Sequence, residues 1–162
     1  MSKEDNLSNG PEWAWFKRER LHRAAVSGDV EAIRALLTEG CDINAFDSDL
    51  SWTPLHYAAI ENRVDAMHCL LTAGADANAN EADRIGNTPL GQIAGSCSFE
   101  IAELLIDAGA DPSIPGWMKL TALDRSAGRV DPEGPRVHRL LLDTARRLKP
   151  DWLGFSKYVQ DP

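Results

Sequence analysis

The sequence predicts an all-α protein, a solenoid of stacked helix-turn-helix units joined by projecting loops. Three observations carry this prediction. The stretch "TPLHYAA" begins at Thr53, and a diluted copy, "TPLGQIA", begins at Thr88. The interval from a leucine to a later glycine is constant: Leu21 to Gly40, Leu55 to Gly74 and Leu90 to Gly109 are each 19 positions. The connections vary instead, with Gly40 to Thr53 spanning 13 positions, Gly74 to Thr88 spanning 14 and Gly109 to Thr121 spanning 12. A fixed body with adjustable joints marks a repeated folding unit.

The elements follow in order. Residues 1–10 are polar and read as a flexible start. In the first unit, residues 11–49, Glu19 and Arg20 stand where later units have Thr-Pro. Its first helix is therefore expected to begin upstream, with Pro11 in the first turn and Trp13, Trp15 and Phe16 helping to cover the open end of the stack. In the second unit, residues 50–83, Thr53 is placed to cap a helix and Pro54 occupies the first turn, where no amide donor is needed. Leu55, Ala58 and Ala59 share one apolar face, and the two alanines admit a close neighbour. Thr88 and Pro89 repeat the pattern in the third unit, residues 84–117. Second helices carry the leucine pairs Leu36 and Leu37, Leu70 and Leu71, Leu104 and Leu105, closed by Gly40, Gly74 and Gly109 in the left-handed conformation. The fourth unit, residues 118–150, has two prolines between its helices in "VDPEGP" and lacks the closing "GAD", as a terminal unit facing water should. Residues 151–162 form a tail containing Trp152, Leu153, Phe155 and Tyr158.

These motifs, "TPLHYAA" with "CLLTAGADANA" above all, resemble the ankyrin repeat. The resemblance covers roughly residues 20–150 in four units, and the single domain is expected over 11–150. It implies a gently curved ankyrin-repeat solenoid with an extended N-terminal helix and a C-terminal capping repeat. The 34-residue tetratricopeptide solenoid fits less well, because there proline closes the second helix and the turns are tighter.

Charge narrows the partners. The chain carries a formal charge of −8, distributed as zero over residues 1–20, −11 over 21–117 (four basic against fifteen acidic) and +3 over 118–162 (nine against six). Such an acidic middle repels phosphate backbones, which argues against nucleic acid and for a basic protein surface. No apolar run approaches the ~18 residues of a membrane span. The polar start argues against a secretory signal, and three cysteines without metal-type spacing fit a cytoplasmic protein.

A search for chemistry returns no catalytic, metal or cofactor site. The sequence holds no phosphate loop, no "GxSxG", no "HExxH" and no calcium loop. His56, in "TPLH", and His22, 34 positions earlier, read as braces between neighbouring loops. His68 and His138 read as surface or groove packing. Cys41, Cys69 and Cys97 lie 28 positions apart but fall at unrelated places in the repeat frame.

The resemblance implies binding through loop tips and the concave face of the first helices. The tip positions are Leu50 and Trp52 before the threonine of the second unit, Arg84, Ile85 and Asn87 before that of the third, and Trp117, Met118 and Leu120 before that of the fourth, with Asp47, Asp49 and Asp83 around them as an acidic rim. Ile60 and Glu61 follow the second unit's alanine pair on the concave side. Trp52 and Trp117 either anchor a partner, with an acidic rim steering it, or fold back onto their own loops. The expected function is non-catalytic protein binding by a free monomer. A dedicated inhibitor or immunity protein against a basic enzyme or toxin, an oligomer capped by its tail, and a small enzyme on a solenoid frame are the alternatives.

Overall fold

A computed structural model describes residues 19–81 and 86–152. The chain divides into two compact units at Asp76 and Ala77. Among the described residues it is all-helical, with no strand.

Among the described residues unit 1 contains four helices: α1 (Arg20–Ser27), α2 (Val30–Thr38), α3 (Pro54–Ile60) and α4 (Val64–Thr72). α1 packs on α2 and α3 on α4, while α1 also meets α3 and α2 meets α4, so two hairpins stack. Leu21, Ala25, Ile33, Leu55, Ala58, Ala59, Met67 and Leu70 are buried between them. Small first-helix residues let the hairpins approach, and leucines fill the space behind. Glu19 precedes α1 without a side-chain cap. The upstream extension expected from Pro11, with Trp13, Trp15 and Phe16, lies outside the described residues.

Unit 2 contains α5 (Pro89–Ile93), α6 (Phe99–Asp107), a 3₁₀ turn (Trp117–Lys119), α7 (Ala122–Ser126) and α8 (Gly134–Leu148). Here α5 packs on α7, α7 on α8 and α6 on α8. Leu90, Leu105, Leu123, Val137 and Leu141 are fully buried. The fourth hairpin is the atypical one, its helices being separated by residues 127–133 and its second helix being 15 residues long. Ser126 Oγ and His138 Nδ1, 2.8 Å apart, join α7 to α8. Burial holds the His138 imidazole below its usual value.

The expected caps form, with variations. Thr88 Oγ1 accepts from Gly91 N–H at 3.0 Å. Thr121 accepts from Asp124 N–H at 3.2 Å while its own N–H donates to Asp124 Oδ2 at 2.8 Å, a reciprocal box. At Thr53 the backbone N–H donates to His56 Nδ1 at 3.1 Å, which places the neutral ring's proton on Nε2. His22 Nε2 lies 2.9 Å from the Ala45 carbonyl and 3.1 Å from that of Trp52, bracing two parts of one loop.

The three closing glycines are equivalent. Gly40, Gly74 and Gly109 have φ of 86°, 97° and 92°. At Gly74 the amides of Gly74 and Ala75 donate to Leu71 and Leu70 carbonyls, both at 3.0 Å, the paired bonds of a left-handed helix closure. Nothing lies within 4 Å of where a β-carbon would sit at any of the three, so only backbone strain opposes a side chain. Gly74→Ala is expected to cost about 1 kcal/mol. A lower urea midpoint with unchanged slope would register it.

Candidate functional site

In unit 1 the loop from Asp42 to Thr53 organises around one carboxylate. Asp47 is 7% exposed. Its Oδ1 accepts the amides of Asp49, Leu50 and Ser51 at 2.9, 2.6 and 3.1 Å, and its Oδ2 accepts the Tyr57 hydroxyl at 2.8 Å. Burial pushes this carboxyl up, but hydrogen bonds from Leu50, Tyr57 and Asp49 outweigh that and leave it below the usual carboxylate value. Burial and the neighbouring Asp47 together raise the Tyr57 hydroxyl well above its usual value. Ser51, at φ 56°, completes the tight return.

This geometry sorts the candidates. Asp47, expected on an exposed acidic rim, faces inward as the loop's internal acceptor. Trp52 is half-buried, its ring edge-on to Tyr57 with centroids 5.3 Å apart, and its carbonyl accepts Asp47 N–H at 2.9 Å. Tyr57 in turn meets His22 edge-on at 5.8 Å. Leu50, 46% exposed, projects from the loop, and Asp49 is exposed beside it. Ile60 is half-buried and Glu61 exposed at the end of α3. Tyr57, with Glu19, His22, Arg23, Val26, Asp47 and Asp49, lines a cup of about 100 Å³. Tyr57 escaped the sequence reading, although its position directly after His56 in "TPLHYAA" was the available signal.

In unit 2 the tip before α7 is built on Asn87. Its side chain is buried: Nδ2 donates to Gln92 Oε1 at 2.7 Å, and Oδ1 accepts Trp117 N–H at 2.9 Å and Arg125 at 3.2 Å. Asn87, expected at an exposed tip, instead turns inward and supports it. Gly116 lies so close to Asn87 that any β-carbon there would collide with its Oδ1. Leu120 N–H closes a turn on the Trp117 carbonyl at 3.2 Å, with Met118 and Lys119 between them at φ 57° and 60°. Two consecutive non-glycine residues at positive φ make this a mirror-image turn, a conformation that side chains resist. It displays Trp117, Met118 and Leu120 at 51%, 67% and 37% exposure. Asp83, Arg84 and Ile85 lie outside the described residues.

Among the described residues no three His, Cys, Asp or Glu side chains are placed to hold a metal ion. His68 and Cys69 both line a groove with Val30, Arg34 and Leu37 between α2 and α4 of unit 1. Cys41, Cys69 and Cys97 are all free thiols, and burial pushes that of Cys97 up. Among the described residues no helix is long and apolar enough to cross a membrane.

Stacked short hairpins, closed by equivalent left-handed glycines, define a helical-repeat scaffold. The chain belongs to the ankyrin repeat family: the family model described as "Ankyrin repeats (3 copies)" matches residues 21–115. The α7-α8 hairpin lies beyond that match. Repeats of this family are generally modules of protein-protein interaction. No curated protein matches the chain.

Proposed function

We propose that this protein acts by reversible binding of another protein through its loop tips, without chemistry of its own. The observation that carries this reading is the tip at Trp117, Met118 and Leu120: large apolar side chains held outward on a backbone turn that costs on the order of 1–3 kcal/mol per strained residue. Among the described residues hydrogen bonds with Asn87 and Gly116 hold the turn, while Trp117 and Met118 keep half or more of their surface exposed. An aromatic anchor entering a partner's pocket repays the strain. In unit 1 the corresponding candidates are Leu50, half-buried Trp52 and Asp49 in the loop, with Ile60 and Glu61 at the end of α3. Asp83, Arg84 and Ile85 belong to the same reading as the third unit's tip.

The acidic stretch, −11 over residues 21–117, supports a basic partner. An inhibitor of a basic enzyme or toxin is the narrower form of the same idea. We take the free protein to be a monomer of the reducing cytoplasm, which its three free thiols suit.

The test is calorimetric titration of a partner recovered by affinity capture from the native host. Trp117→Ala is expected to weaken binding at least tenfold, because truncating an interface anchor costs about 1.4 kcal/mol or more. Raising the salt concentration should weaken it further. Equal affinity for the wild type and for Trp117→Ala combined with Leu50→Ala would overturn the proposal.

A further inference from the structure

The back of unit 2 carries a second surface of different chemistry. Between α6 and α8 opens a groove of about 380 Å³, lined by Phe99, Pro135, Arg136, Arg139, Leu140 and Asp143. Half-buried Phe99 and Leu140 form its apolar floor. The Arg136 guanidinium carbon sits 4.3 Å from the centre of the Phe99 ring, yet the side chain remains 62% exposed and reaches Glu133 only at 3.5 Å. Arg139 is exposed and makes no hydrogen bond or ion pair among the described residues. The two arginines stand three positions apart and so share a face of α8.

Charge is unevenly placed around this floor. α8 carries Arg136, Arg139, Arg146 and Arg147 against Asp143 alone, a local excess of cations in a protein of net charge −8. On α6, Glu100, Glu103 and Asp107 are exposed. The groove itself is thus lined by two arginines and one aspartate over an apolar floor, and the neighbouring helix α6 carries the exposed carboxylates.

We propose that this groove binds an acidic amphipathic segment of a partner protein. Its apolar side chains would rest on Phe99 and Leu140, and its carboxylates would pair with Arg136 and Arg139, whose planar forks match a carboxylate. Because α6 is anionic, the segment must carry its acids along one edge only. A uniformly acidic peptide would be repelled by Glu100 and Glu103. This surface is separate from the tip at Trp117 and stands whether or not that tip binds a protein.

The probe is a synthetic helical peptide with leucine and phenylalanine at helical spacing and glutamates along one edge, titrated into the isotope-labelled full chain by NMR. Saturable shifts should cluster at Phe99, Arg136, Arg139 and Leu140. Arg136→Gln combined with Arg139→Glu, both at exposed positions and checked for retained helicity, should weaken binding at least tenfold, whereas Trp117→Ala should leave it unchanged. Four results would each overturn the proposal. One is equal binding of the lysine-for-glutamate peptide, and a second is the absence of localised shifts at millimolar peptide. A third is tighter capture of a single-stranded oligonucleotide at the same residues. The fourth is movement of the same resonances with protein concentration alone, which would assign the groove to a second copy of the chain.

Discussion

Arg129→Ala is expected to lower the stability of unit 2 by about 2–4 kcal/mol, since removing a buried, hydrogen-bonded cation orphans several partners at once. The Arg129 side chain is 6% exposed although it lies in the long α7-α8 connection. Its Nη1 donates to the Ala94 carbonyl at 3.1 Å and its Nη2 to the Cys97 carbonyl at 2.9 Å, both beyond the end of α5. Its Nε and Nη2 also grip Asp131 at 2.8 Å each. Asp131, held down at about 2 chiefly by that hydrogen bond from Arg129, accepts the Glu133 and Gly134 amides at the start of α8. Glu133 then accepts Phe99 N–H at 2.8 Å, at the first residue of α6. One guanidinium therefore ties the end of α5 to the starts of α6 and α8. Arg129→Lys should recover only part of the loss, because an ammonium cannot serve two carbonyls and a carboxylate in fork geometry. Faster amide exchange in α6 and α8 would locate the effect; an unshifted urea midpoint would refute it.

Asp47→Ala is expected to cost unit 1 about 2–4 kcal/mol by leaving three loop amides and a tyrosine hydroxyl without their acceptor. Asp47→Asn separates geometry from charge: its remaining oxygen can still accept the amides, but the Tyr57 hydroxyl loses an anionic partner. The sign with pH follows from the lowered carboxyl. The unfolded group titrates near 3.8 and the folded one below it. The stabilisation is thus fully present above 3.8 and drains away as pH falls through the lower, folded value. Equilibrium unfolding between pH 5 and 2 should show a decline in the wild type that is shallower in Asp47→Asn. Parallel curves would mean that Asp47 contributes nothing through its charge.

The helical bodies were legible because local rules dictate them. A threonine before proline caps a helix wherever it occurs, and a glycine nineteen positions after a core leucine closes one. The loops were less legible. Asp47 and Asn87 are polar residues at rim and tip positions, and by residue type alone they read as exposed contacts. Their inward turn depends on partners elsewhere: Tyr57 and a return at Ser51 for one, Gly116 and Trp117 for the other. Arg129 meets carbonyls more than thirty residues away in sequence, a pairing that no local pattern encodes. The exposure of Trp117 followed its register, whereas the half-burial of Trp52 followed from Tyr57, which the repeat frame does not single out.

The open space facing the absent β-carbon at Gly40, Gly74 and Gly109 has a stereochemical corollary. These sites disfavour an L-residue by handedness and not by size. A D-alanine, whose preferred dihedrals are inverted, fits each without strain. Chemical synthesis could thus fasten all three helix ends by narrowing the freedom of the unfolded chain, leaving every native contact untouched.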